Sequence, residues 1–110
     1  MSAEPSPDLL AAPCVSVRAV TAFVAVAEHG SFAGAAKIMF VDPSTVSKLV
    51  RRLEKELGAT LLKRSTRRVT VTSQGVPALV VARKLLAQAH ALQAAVSMEA
   101  LESSADSDVA

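Results

Sequence analysis

A chain of 110 residues that is 51% hydrophobic but only 3% aromatic, with no Trp or Tyr, holds one modest core and excludes two large independent domains. Ala, Val and Leu supply most of the apolar content, which favours helices packed closely through small side chains. Formal charge is only +2, yet all 12 Lys and Arg lie between Val17 and Lys84 against the acids Glu28, Asp42, Glu54 and Glu56, so a basic middle with weakly acidic ends calls for a polyanionic partner.

Residues 1–15 contain Pro5, Pro7 and Pro13 and read as a flexible N-terminal arm. The arm has acids and prolines where a secretory signal needs basic residues and an apolar block, which points to the cytoplasm. Its Cys14 is the only cysteine, so no intramolecular disulfide is available. Ser16 then caps a helix from Val17 to about His29, in which Val17, Val20, Phe23, Val24 and Ala27 recur at steps of three and four, and Gly30 ends it. Ser31 caps a second, short helix with apolar contacts at Phe32, Ala35, Ala36 and Met39.

A third helix starts at Asp42-Pro43, where the carboxylate is expected to accept free N–H groups and proline has none to lose. It runs to about Leu57 and stops at Gly58. On the helical period Val46, Val50, Leu53 and Leu57 share one side, while Ser44, Ser47, Lys48, Arg51 and Lys55 gather opposite them. The β-branched stretch TLLKRSTRRVTVT next reads as a two-stranded hairpin with Arg64, Arg67 and Arg68 at or near its tip. From about Ser73 to residue 102 nearly every residue is a helix former, with Leu79, Leu85, Leu86, Leu92 and Val96 among alanines. Such a helix is on the order of 40 Å long, more than the small domain can cover. Folding back on its own domain is one outcome for its apolar stripe, and pairing with a partner is the one its length favours. Residues 103–110 are expected to be a disordered tail.

These elements describe a mainly α fold: a winged helix-turn-helix of three helices and a two-stranded wing over residues 16–72, then a long dimerisation helix. The third helix is narrow enough for a major groove, with its first residues meeting base edges and its cations meeting phosphates. A hairpin tipped with arginine reaches the adjacent backbone or minor groove.

From Val17 to about Leu86 the chain resembles the N-terminal DNA-binding domain of the LysR-type transcriptional regulators, in the segments AVAEHGSFAGAA, PSTVSKLVRRLE, LGATLLKR and TRRVTVTSQG. The resemblance implies that Ser31 lies at a phosphate-binding helix N-terminus. It implies that Pro43, Ser44, Thr45, Ser47 and Lys48 face the groove and that Arg51 and Arg52 lie nearer phosphate. Arg64, Arg67 and Arg68 then match the basic wing, and the long helix matches a linker helix that pairs with its counterpart in a second subunit. Leu49 departs from the pattern, standing where many members carry a polar residue such as Gln. Val76 and Pro77 replace the usual acidic and aromatic residues early in the linker, so a late start or a kink is expected there. Members continue with an α/β effector-binding domain, whereas ESSADSDVA carries none of it, so no small-molecule effector is expected to act on this chain.

The reading is therefore a homodimeric, sequence-specific double-stranded DNA-binding regulator of transcription. Lys48, Arg51 and Arg52 taken alone would suit a solvated helix face, and Thr45 suits a partial capping role, which leaves Ser47 as the better reader of bases. An alternative is an effectorless interaction protein that forms mixed dimers with full-length relatives. No Ser/His/Asp set, phosphate-cradling glycine loop or paired carboxylates can be assembled, so no enzyme is expected. His29 and His90 lie far apart with no metal-ligand spacing, and no apolar run spans a bilayer, so neither metal, cofactor nor membrane is expected.

Overall fold

A computed structural model describes residues 15–65 and 68–109, and side chains through residue 99. Except for Val15 the predicted arm lies outside the described residues, as does Arg67 at the wing. Helix α1, Val17–His29, begins where the Ser16 hydroxyl accepts the Ala19 N–H at 3.0 Å and ends where Gly30, at φ 70°, returns its N–H to the Val26 carbonyl. Ala19, Val20 and the unbroken run Ala22 to Val26 are all buried. This helix is therefore enclosed on most of its sides, and the remaining elements are laid around it. Val17, placed on the apolar stripe from sequence, is instead half exposed, whereas Ala19 in the same turn is buried.

Helix α2, Phe32–Met39, is capped by the Ser31 hydroxyl, which accepts the Gly34 N–H at 2.9 Å. It buries Ala35 and Ala36, whose small side chains allow α1 to approach closely. Phe40 closes it in the left-handed conformation, φ 59°, and the Val41 N–H reaches back to the Ala36 carbonyl at 3.1 Å. The chain thus reverses within three residues and enters α3, Pro43–Leu57.

Val46, Val50 and Leu53 of α3 are buried, as the period requires. Leu57 is not: it is 47% exposed, at the rim of an open apolar cavity of about 230 Å³ that it shares with Phe23, Leu53, Val81 and Leu85. Asp42 also differs from expectation, since its side chain makes no capping hydrogen bond. Its backbone carbonyl does the work of the N-cap by accepting from Thr45 at 2.9 Å and Val46 at 3.3 Å, so the carboxylate stays exposed at the helix start.

Strands β1, Leu62–Arg64, and β2, Val69–Val71, pair antiparallel with Leu62 opposite Val71, Lys63 opposite Thr70 and Arg64 opposite Val69. Thr72 joins this wing to helix α4, Gly75–Val109: its hydroxyl donates to the Thr60 carbonyl and accepts the Gly75 N–H. Pro77 falls within the first turn of α4, where a missing donor costs little, and the helix begins ahead of it rather than after it. No Gly or Pro follows Pro77, and the helix runs on through most of the stretch in which sequence predicts a disordered tail.

Candidate nucleic-acid interface

Three elements bring the cationic and hydroxyl side chains together. Burial of Val46, Val50 and Leu53 against α1 orients α3, and the opposite face presents Ser44, Lys48, Arg51, Arg52 and Lys55 exposed and Ser47 half-buried. Arg52 is tied to Glu56 one turn on by an exposed ion pair at 3.2 Å, whereas Arg51 and Lys48 make no ion pair within the described residues. Arg51 is thus the more available of the two arginines. Pro43 and Thr45 flank this face, and the Thr45 N–H donates to the Asp42 carbonyl. Leu49 lies half-buried against the core, so a packing task accounts for an apolar residue there.

The wing lies against α3 through Glu54, which sequence had treated only as a neutralising charge. Its Oε2 accepts the Leu61 N–H at 2.8 Å and the Leu62 N–H at 3.2 Å, fastening the base of β1 to the last turn of the helix. At the far end, the Ser65 N–H and hydroxyl both donate to the Arg68 carbonyl at 3.0 Å, and the Arg68 N–H returns to the Ser65 hydroxyl at 3.2 Å. That closed turn holds the exposed Arg68 beside the tip, with Lys63 exposed on the strand.

Arg64 is exposed as well, but its side chain is engaged by neighbouring elements. Alternation in β1 puts it on the same face as the buried Leu62, toward the helices, and its guanidinium lies 4.2 Å above the centre of the Phe32 ring while Nη2 donates to Ser47 Oγ at 3.2 Å. Residues from α2, α3 and β1 therefore meet in one cluster. Sequence placed Arg64 at the wing and Ser47 in the groove, and missed their contact. The signal was present in the period of two, which separates Lys63 from Leu62 and Arg64.

The linker leucines divide into two sets. Leu79 and Leu86 pack half-buried onto the core beside the buried Ala82, while Leu85, Leu92 and Val96 are exposed. Arg83 adds an ion pair to Glu28 of α1 at 3.2 Å. Among the described residues no cluster of His, Cys, Asp or Glu could hold a metal ion, and no helix is long and apolar enough to cross a membrane.

A helix-turn-helix whose second helix turns a cationic face outward beside a basic wing defines a class of nucleic-acid-binding domain. Residues 17–76 match the bacterial regulatory helix-turn-helix proteins of the lysR family, and the chain belongs to that family. It is 48% identical over 67 residues to the HTH-type transcriptional regulator PtxR of Pseudomonas aeruginosa, covering 61% of this chain and 22% of that protein. Over 82 residues it is 43% identical to a probable hydrogen peroxide-inducible genes activator of Mycobacterium avium, covering 74% of this chain and 26% of the other. The chain thus spans about a quarter of the length of these relatives. Among solved structures, the CbnR DNA-binding domain in complex with DNA matches with a TM-score of 0.72 and 34% identity, over 78% of this chain and 99% of that one. The BenM DNA-binding domain bound to benA site 1 DNA matches with the same score at 32% identity, over 78% and 97%.

Proposed function

We propose that the chain binds double-stranded DNA in a sequence-specific manner and regulates transcription, without catalysis, in the bacterial cytoplasm. Helix α3 enters the major groove, with Pro43, Ser44, Thr45, Ser47 and Lys48 nearest the base edges and Arg51 and Arg52 nearer phosphate. The Ser31 turn meets the backbone on one side, and Arg67 and Arg68 of the wing meet it on the other. The observation that carries this reading is the convergence of the exposed cationic face of α3 with the wing on a fold shared with two DNA-bound domains.

A homodimer through α4 accompanies this proposal, supported by the exposed Leu85, Leu92 and Val96 on a helix that extends well past the core it leaves. Two-fold symmetry then sets two half-sites one or more helical turns apart. The same row of apolar residues suits a homologous helix, and mixed dimers with full-length relatives are the second reading. Selection of duplexes from a random pool by the purified chain, followed by light scattering of the complex, tests both together. A selected two-fold motif bound by two copies supports the first reading, and absence of any enriched sequence contradicts it.

A further inference from the structure

The contact of Arg64 with Ser47 has a chemical consequence for what the groove-facing helix reads. A serine hydroxyl offers one proton and two lone pairs. In this chain one lone pair is taken by the Arg64 Nη2 donor, and the positive charge 3.2 Å away orients the O–H dipole with its oxygen toward the guanidinium and its proton away. The usual internal outlet for that proton in a helix, the carbonyl four residues back, is not used by Ser47, although Thr21 of α1 does use it, donating to the Val17 carbonyl at 2.8 Å. No acceptor among the described residues takes that proton, which leaves it free to turn outward from the cationic face.

Arg64 is itself held from two sides. Phe32 supplies a ring platform at 4.2 Å, and pairing of Arg64 with Val69 fixes the backbone beneath it. The guanidinium, although solvent-exposed, therefore bridges the start of α2, the wing and α3.

We propose that Arg64 is a positioning residue that makes Ser47 a hydrogen-bond donor, so that Ser47 selects a base presenting an acceptor in the major groove, a purine N7, guanine O6 or thymine O4, and disfavours cytosine, which presents only an amino group there. The proposal rests on the DNA-binding reading above. A phosphate oxygen offers the same acceptor chemistry, and the experiment separates the two.

The test is duplex selection followed by equilibrium binding for the full chain and its Ser47→Ala, Arg64→Gln, Arg64→Lys and Ser47→Ala/Arg64→Gln variants, each first shown to keep the parent's melting temperature. The expected result is one position at which the parent demands an acceptor base, with that preference falling roughly fivefold or more in both Ser47→Ala and Arg64→Gln, and no further in the double variant. Replacing guanine there by 7-deazaguanine, or by a base with an amino group in place of the oxygen, should weaken the parent and leave both single variants nearly unaffected. Arg64→Lys, which keeps the charge and a donor, should retain most of the preference. The inference is overturned if Arg64→Gln binds every duplex more weakly by the same factor, flattens the salt dependence and keeps the base preference, since that is the signature of a phosphate contact. Selection of no sequence by the parent overturns the DNA-binding reading and this inference together.

Discussion

Individual residues here do work that their type alone does not announce. Glu54 is the clearest, because one carboxylate oxygen satisfies two backbone donors at the point where the wing leaves α3. Glu54→Ala should lower stability by about 2 kcal/mol, as loss of hydrogen bonds to a charged acceptor does, and a urea melt checks it against Lys55→Ala, which should be near neutral. Gly75 is equally constrained: it is buried, and an added Cβ would overlap the Leu61 carbonyl and lie 2.6 Å from Val71 Cγ1. Gly75→Ala should therefore push α4 from the wing and cost roughly 1–3 kcal/mol in the same assay. Phe40 works in the opposite direction, being 93% exposed and held at φ 59° without the permissiveness of glycine. Phe40→Gly should raise stability by about 1 kcal/mol by relieving that conformation, with a higher melting temperature as the readout.

At the scale of elements, what sequence made legible was set by local rules. Ser16, Ser31, Gly30 and Gly58 mark helix boundaries because capping is decided within four residues, and Val46, Val50 and Leu53 mark the buried face of α3 because its period is strong. What escaped was decided between elements. The burial of Leu57 depends on how far α4 covers the end of α3, and the division of Leu79 and Leu86 from Leu85 and Leu92 depends on which side of α4 meets α1. Arg64 escaped for a related reason, since a three-residue strand states its alternation weakly, and only the packing of the wing against Phe32 and Ser47 shows where the even face looks. Asp42 illustrates the limit of capping rules themselves: the residue and the backbone angles suit an N-cap, but the carboxylate makes no capping bond. The exposed set on α4 leads to a further expectation. Leu92→Glu with Val96→Glu should convert a dimer to monomers in light scattering while leaving the melting of the DNA-binding unit within about 0.5 kcal/mol, since both residues lie beyond the core.

For the whole molecule, a net charge of +2 conceals a strong asymmetry. The positive charge is concentrated in the folded unit, and much of its exposed share lies along α3 and the wing, where Lys48, Arg51, Lys55, Lys63 and Arg68 are all accessible, while Arg18, Lys37, Arg83 and Lys84 are exposed on the other helices. Phosphate neutralisation by such a surface releases counterions, and each contact contributes close to one unit of slope in log K against log salt. The measurement that tests the account most directly is that slope for a selected duplex and for a scrambled one, with the parent chain and Arg68→Gln. Steep slopes are expected on both duplexes, with a preference for the selected duplex of roughly a thousandfold or more at moderate salt and a slope reduced by about one per subunit on both duplexes in Arg68→Gln. Equal affinity for the two duplexes, or binding that does not respond to salt, would contradict the account.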